Sequence, residues 1–217
     1  MKLLILCQEK ILSDALKVLL EDCSQLDLEV VGETDSGLEG VDLARSLRPD
    51  VALISFQLQE LNGIDATRRI LEVAEEVGVL ILASDPRAEP LQEAFEAGAL
   101  GYVTMDGGAE ELIRALQAVA EGKNYLCPDS ATALVETTLS SEKAAEDPVF
   151  ALLTPREREV LQLLSEGLGA REVAEKLHIS TKTVDTHRRK VMQKLETDSL
   201  AELVKHAIRA GLTTLKL

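Results

Sequence analysis

The residues best equipped for chemistry lie between Ser180 and Met192, in the run Ser-Thr-Lys-Thr-Val-Asp-Thr-His-Arg-Arg-Lys-Val-Met. Ser180 suits an N-cap, because its hydroxyl can accept from the open amides of a first helical turn. Val184, Val191 and Leu195 then recur at i, i+7 and i+11, one stripe of a helix. Lys182, Asp185, Thr186, His187, Arg188, Arg189 and Lys190 all fall off that stripe. An apolar back with a basic, donor-rich front fits a duplex major groove, whose base edges present acceptors and donors. The same pattern in isolation also describes an ordinary solvated amphipathic helix. Its neighbours decide between the two.

Upstream, Thr154 is placed as an N-cap, Pro155 as the first helical residue and Glu157 as the closing member of a capping box. Val160, Leu161 and Leu164 form the buried stripe of that helix, and Gly167 can end it in a left-handed conformation. Ala170–Leu177 reads as a short helix with Val173, Ala174 and Leu177 inward, and His178-Ile179-Ser180 as a tight turn. Two short helices joined in this way, the second one basic, make a helix-turn-helix. A fourth helix follows, with Ser199 as cap, Glu202 completing a second box and Gly211 as stop.

The run LTPREREVLQLLSEGL…REVAEKLHISTKTVDTHRRKVMQKL resembles the LuxR-type helix-turn-helix of the NarL/FixJ response regulators, over residues 150–214. One departure is Gly169-Ala170, where that family usually has Ser-Asn; glycine is nearly as good a cap as threonine. The resemblance implies base-reading positions at Asp185, Thr186 and Arg189. Arginine suits guanine O6 and N7, aspartate can accept from cytosine N4, and a threonine methyl can meet thymine. Thr181, Lys182, His187, Arg188 and Lys190 would then hold phosphates and set the register. The resemblance further implies a homodimer on an inverted repeat in double-stranded DNA, formed through the last helix. There Leu200, Leu203, Val204 and Ala207 make one apolar face, which could equally close the domain's own core.

The amino-terminal half must position this unit, and it alternates strand-like and helix-like stretches. Strands are expected at Lys2–Cys7, Leu28–Glu33, Val51–Ser55, Val79–Ala83 and Gly101–Thr104. Helices are expected at Ile11–Glu21, with Leu12, Ala15, Leu16 and Leu19 inward, and at Leu38–Leu47, Asp65–Glu75, Leu91–Ala97 and Ala109–Glu121. Five such units with continuously apolar strands indicate a five-stranded parallel sheet covered on both faces. The expected fold is therefore an α/β receiver-like (βα)5 domain followed by an all-α, four-helix helix-turn-helix domain. Function in such a sheet gathers beyond the carboxyl ends of the strands.

RPDVALISFQLQELNGIDATRRI and EAFEAGALGYVTMDGGAEELIRALQAVAEGKNYLCP resemble a response-regulator receiver, over roughly residues 1–125. That family holds a magnesium ion on an acidic pair and phosphorylates an aspartate, read out by a Thr/Ser and a Lys. Those positions fall here on Cys7 and Gln8, Ser55, Ala83 and Met105. Magnesium demands hard oxygen ligands, which a thiol and an amide do not supply. Ser55 has no carboxylate to accept a phosphoryl group. A one-residue slip brings Glu9 and Ser84 near the site, but neither an acceptor nor a lysine. Tyr102 matches the family's switch aromatic without its hydroxyl partner, which favours a fixed core or interface tyrosine. Asn62-Gly63 reads as turn chemistry.

The formal charge of −15 divides unevenly. Residues 1–149 carry 11 basic and 29 acidic side chains, whereas residues 150–217 carry 12 and 9. The small positive balance is concentrated on one helix, enough for phosphate attraction, and the acidic half opposes non-specific DNA binding. Residues 126–149 are small, polar and acidic, a linker with at most a short helix at 131–138. Cys7, Cys23 and Cys127 lack metal-ligand spacing, so reduced thiols and a cytoplasmic location are expected. No apolar run approaches the roughly 20 residues of a membrane span.

The function these readings favour is a sequence-specific DNA-binding transcription regulator that works without phosphorylation. The alternative is a sensor whose degenerate receiver pocket takes a small-molecule or protein ligand and so controls DNA binding or dimerisation. An enzyme is not expected, nor a cofactor or metal. The three histidines, His178, His187 and His206, all lie in the DNA-binding half, away from the strand ends.

Overall fold

The computed structural model describes residues 1–21, 27–84, 91–132 and 148–214. Strands β1 (Lys2–Leu6), β2 (Glu29–Thr34), β3 (Val51–Ser55), β4 (Gly78–Ala83), β5 (Gly101–Thr104) and β6 (Tyr125–Leu126) form one parallel sheet in the order β2-β1-β3-β4-β5-β6. Alternate side chains point to opposite faces. Leu4, Leu6, Ala52, Ile54, Val79 and Ile81 pack under α2 (Gly37–Leu47), α3 (Gly63–Val73) and α4 (Leu91–Glu96). Leu3, Ile5, Val51, Leu53, Leu80 and Leu82 pack under α1 (Lys10–Glu21) and α5 (Gly108–Ala120). This two-sided burial is why the strands read as unbroken apolar runs.

Two details differ from the sequence expectation. The sheet has a sixth strand, because Tyr125 and Leu126 continue the parallel ladder beside Gly101 and Tyr102. Cys127 and Ser130 are buried as well, so the receiver extends past residue 125 into the expected linker. On α1 the buried residues are Ser13, Leu16 and Leu20, with Leu12 half-buried, whereas Ala15 and Leu19 face outward. Apolar residues surround this helix, so periodicity alone left its rotation undetermined. Cys23 and most of the expected linker helix lie outside the described residues.

The carboxyl-terminal domain comprises α6 (Pro148–Leu152), α7 (Pro155–Ser165), α8 (Ala170–Lys176), α9 (Thr181–Lys194) and α10 (Leu200–Arg209), one short helix more than the four expected. Thr154 and Glu157 close their capping box, and the Glu172 carboxylate accepts the Gly169 amide at 2.7 Å. The box expected at Ser199 and Glu202 does not form. Ser199 makes no side-chain cap, and Glu202 instead accepts from the Thr197 hydroxyl.

The receiver and the helical domain share one core. Val149, Phe150, Leu153, Leu161, Val191 and Leu203 belong to the same buried cluster as the α2–α3 face of the sheet. Phe56, immediately after β3, meets Phe150 with ring centroids 6.1 Å apart. Gly211, at φ +68°, passes so close that a Cβ would lie 2.7 Å from the Phe56 ring. At the centre Arg158 forms two parallel hydrogen bonds to Asp65, of 2.9 and 2.6 Å, and donates to the Leu153 carbonyl at 2.7 Å. Asp65 and Arg158 are 1% and 4% exposed, so this charge pair has left water. Phe150 lies under the guanidinium, 5.1 Å from centroid to carbon. Gln162 spans the same seam, donating to the Leu58 carbonyl and accepting from the Asn62 amide, both at 2.8 Å.

A buried pair broken on one side leaves a charge with no partner, which costs about 3–5 kcal/mol. Asp65→Ala is therefore expected to lower the urea-unfolding free energy by about that amount and to split a single transition into two. Asp65→Leu combined with Arg158→Met removes both charges and is expected to cost much less. Equal losses for the two variants would show that the pair does not hold the seam.

Candidate DNA-binding site

Helix α9 is seated by the stripe read from its sequence: Val184, Val191 and Leu195 are buried. Ser180 accepts from the Thr183 amide at 3.1 Å and starts the helix. His178 turns the chain into it with φ +52°. Behind α9, Val160, Leu163 and Leu164 of α7, Val173 and Ala174 of α8, and Leu177 just after it close a small core around Val184. Lys194 fastens the far end of α9, donating to Glu157 at 2.6 Å and to the Leu152 carbonyl at 3.0 Å. The helix is thus held along its length by α6, α7 and α8.

The outward face carries the residues the sequence singled out. Thr181, Lys182, Thr186, Arg188, Arg189 and Lys190 are exposed, and Asp185 and His187 are half-buried. The Thr186 hydroxyl donates to the Lys182 carbonyl at 2.9 Å, which occupies its donor within the helix. Asp185 lies 3.7 Å from the Arg188 guanidinium. His187 is turned partly inward, with Nδ1 shielded from water and without a hydrogen bond. The seam with the receiver is made by α6, α7, Lys176 at the end of α8, and Gly211, and it leaves this face uncovered.

The expected dimer face on α10 divides. Leu203 and Ala207 are fully buried and close the domain's own core. Leu200 is 52% exposed, and Val204 and Ile208 are half-buried beside it. Two of the four expected residues are therefore interior, because a helix lying on a domain turns only part of its apolar circumference outward.

At the strand ends of the receiver, Cys7, Ser55 and Ala83 are all buried, with Gln8 half-buried and Met105 exposed. Burial pushes the Cys7 thiol above its ordinary value; the Ser55 hydroxyl and the Glu9 backbone lower it by less. The thiol also reaches the Glu9 carbonyl, at 3.6 Å, and the Glu9 carboxylate, at 3.9 Å. Magnesium does not fit this donor set, which holds one exposed carboxylate and a protonated sulfur. Tyr102 is fully buried in the sheet's core. Among the described residues no group of three His, Cys, Asp or Glu side chains is placed to hold a metal ion. A cavity of about 520 Å³ opens elsewhere, at the domain seam beside Arg68, Arg69, Arg156 and Lys176.

A model of the response regulator receiver domain matches residues 4–117, and a model of the bacterial regulatory proteins of the luxR family matches residues 151–207. The chain belongs to the NarL/FixJ family of response regulators. Within that family the regulator is 35% identical to the oxygen regulatory protein NreC of Staphylococcus carnosus, covering 87% of this chain and 88% of NreC. It is 31% identical to BvgA of Bordetella pertussis, over 97% of this chain and 98% of BvgA. The crystal structure of the response regulator ChrA, of a heme-sensing two-component system, shares 31% identity and a TM-score of 0.53, covering 96% of each chain. RcsB of Salmonella enterica bound to the promoter rprA superposes with a TM-score of 0.62 at 23% identity, over 95% of this chain and 97% of RcsB, a likeness of fold. The regulator is a DNA-binding transcription regulator of the LuxR type. Among the described residues no helix is long and apolar enough to cross a membrane.

What the sequence did not disclose is the seam. Asn62 is more than turn chemistry: it caps α3 through the Ile64 and Asp65 amides and gives its own amide to Gln162. Arg158 and Gln162 lie four residues apart on α7 and read as solvated helix surface, yet every residue from Glu157 to Leu164 is buried. Only a docked second domain can bury both sides of such a helix.

Two carboxylates at or behind this seam titrate low. Burial opposes the charge of Glu60, but Lys176 and the Ser36 hydroxyl overcome it and hold the acid below its usual 4.5. Burial likewise opposes the charge of Glu157, which Lys194 and Thr154 more than offset. A lowered folded value contributes stability that is present above the unfolded value and lost as pH falls through the folded one. The urea midpoint is therefore expected to fall as pH drops below 4.5. Glu60→Gln should start lower at neutral pH and show a shallower acid limb. An acid limb identical to that of the parent would exclude Glu60 as a contributor.

Proposed function

We propose that the chain is a homodimeric, phosphorylation-independent transcription regulator that reads an inverted-repeat operator with α9. The observation that carries this reading is the pairing of a fully presented basic face on α9 with a receiver pocket of Cys7, Gln8, Ser55, Ala83 and Met105. None of these five residues offers an acceptor carboxylate or a lysine to pair with a phosphoryl group, and the exposed face of α9 needs no uncovering.

In the complex, α9 enters the major groove with Arg189 toward guanine O6 and N7. Asp185 accepts from a cytosine N4, and Thr186, its hydroxyl satisfied within the helix, offers its methyl to thymine. Thr181, Lys182, Arg188 and Lys190 bind phosphates, joined by the outer edge of the half-buried His187. Leu200 and Val204 supply the outer edge of an α10 contact between protomers. The receiver's negative charge restrains non-specific binding, so affinity depends on register over the operator.

Selection of binding sites from random duplex DNA, with the untreated full-length protein, tests the reading. A specific half-site repeated in inverted orientation is expected, with affinity unchanged by acetyl phosphate and magnesium. Specific binding that requires the phosphodonor would overturn phosphorylation independence. Arg189→Ala is expected to cost about 1–3 kcal/mol and relax one base position. Lys182→Ala is expected to weaken all sequences alike and reduce the salt slope by about one. An unchanged sequence preference for Arg189→Ala at fixed salt would disprove this docking.

A further inference from the structure

The cavity of about 520 Å³ at the domain seam carries more guanidinium groups on its walls than the buried carboxylates there require. Arg68 and Arg69 of α3 enter it from the receiver, and Arg156 of α7 enters it from the helical domain. Two buried carboxylates, Asp65 and Glu159, lie among them. Asp65 is already held by both hydrogen bonds from Arg158, and Arg68 adds a further contact at 2.8 Å. Glu159 is already paired with Arg156 at 2.6 Å, and Arg69 adds a second cation at 2.8 Å. Four guanidiniums thus share two buried carboxylates, a surplus of two positive charges beside an otherwise acidic receiver. Arg68 and Arg69 each spend one terminal nitrogen on these contacts and are 29% and 32% exposed. Their remaining N–H donors stand at a wall that solvent reaches. Lys176 is occupied by Glu60, and Glu72, also on the wall, is exposed to water that screens it.

Cations gathered in a cleft with low-dielectric walls attract an anion. Guanidiniums suit phosphate in particular, because their planar forks donate in pairs to its oxygens. A phosphate monoester carries about −1.5 to −2 charges at neutral pH and three acceptor oxygens, which matches the surplus. A volume of 520 Å³ lies within the roughly 300–1,000 Å³ of small-molecule sites and exceeds what a bare ion fills. We propose that the seam cavity binds a small phosphate-bearing molecule, held by Arg68, Arg69 and Arg156. Its occupant bridges α3 of the receiver to α7 and to His178, the residue at φ +52° that turns the chain into α9. Occupancy therefore ties the two domains together and reaches the base of α9. The backbone of a DNA duplex fits less well, because no residue from Thr181 to Lys194 lines the cavity. The site is also separate from the receiver's strand ends, since none of Cys7, Ser55 and Ala83 lines it.

Isothermal titration of the full-length protein tests it, without magnesium and at constant ionic strength, with inorganic pyrophosphate and adenosine 5′-monophosphate as probes. Saturable binding of at least one probe at a single site is expected. Arg68→Gln with Arg69→Gln should raise the dissociation constant about tenfold or more. The fold should survive that change, since Arg158 and Arg156 still neutralise Asp65 and Glu159. Glu159→Gln removes the carboxylate that competes for Arg69 and Arg156 and should tighten binding, a gain that a damaged fold would not give. A short duplex should leave the affinity for the probe unchanged. Binding of neither probe, or equal affinity in the parent and in Arg68→Gln with Arg69→Gln, would overturn the proposal. So would loss of binding in Lys182→Ala with Arg189→Ala, which would place the anion on α9. Competitive displacement by the duplex would assign these arginines to DNA backbone phosphate and overturn it as well.

Discussion

The buried pair of Asp65 and Arg158 is the constraint around which the two halves of this protein are arranged. Removing two charges from water costs several kcal/mol each, and attraction repays that only when every remaining donor and acceptor is satisfied. Here the carboxylate receives Arg158 twice, the Asn62 amide group and Arg68, while the guanidinium also reaches the Leu153 carbonyl and stacks on Phe150. Such a pair tolerates only one geometry. It fixes the register of α7 on α3, and everything carried by α7 inherits that register. The apolar cluster that continues from the sheet through Phe56 and Phe150 to Leu161 and Leu203 supplies the burial that keeps the pair dry.

The consequence for function runs outward from this seam. Because α6, α7 and the end of α8 face the receiver, α9 faces solvent, and its basic side chains are presented rather than covered. The strand ends that in other receivers perform phosphoryl chemistry are here filled by a thiol, a serine and an alanine packed out of water. Phe56, the residue after Ser55, spends its side chain on Phe150 and Gly211. The receiver thereby serves as a scaffold on which the helical domain is packed.

Local chemistry explains which parts were legible beforehand. Thr154, Pro155 and Glu157 mark a helix start because capping is satisfied within four residues of chain, and the structure repeats it atom by atom. The apolar strands of the sheet and the stripe of Val184, Val191 and Leu195 are likewise local patterns with one solution. The rotation of α1 was not legible, since leucine, isoleucine and valine occur all around it and only the docked sheet selects Leu16 and Leu20. The sixth strand escaped notice because two residues carry no period. On α10, Leu203 and Ala207 were indistinguishable from Leu200 and Val204 until the core claimed the first two.

The sequence by itself determined the two folds, the helix α9 with its basic face, and the thiol, amide and hydroxyl side chains of Cys7, Gln8 and Ser55 at the strand ends. These follow from residue type and spacing within short stretches of chain. Only the tertiary structure decided that Asp65, some ninety residues before Arg158, closes on it, that α7 is buried on both sides, and that α9 and one face of α1 stay open. Burial of a charge depends on what a distant segment brings to it, and no local pattern records which partner arrives.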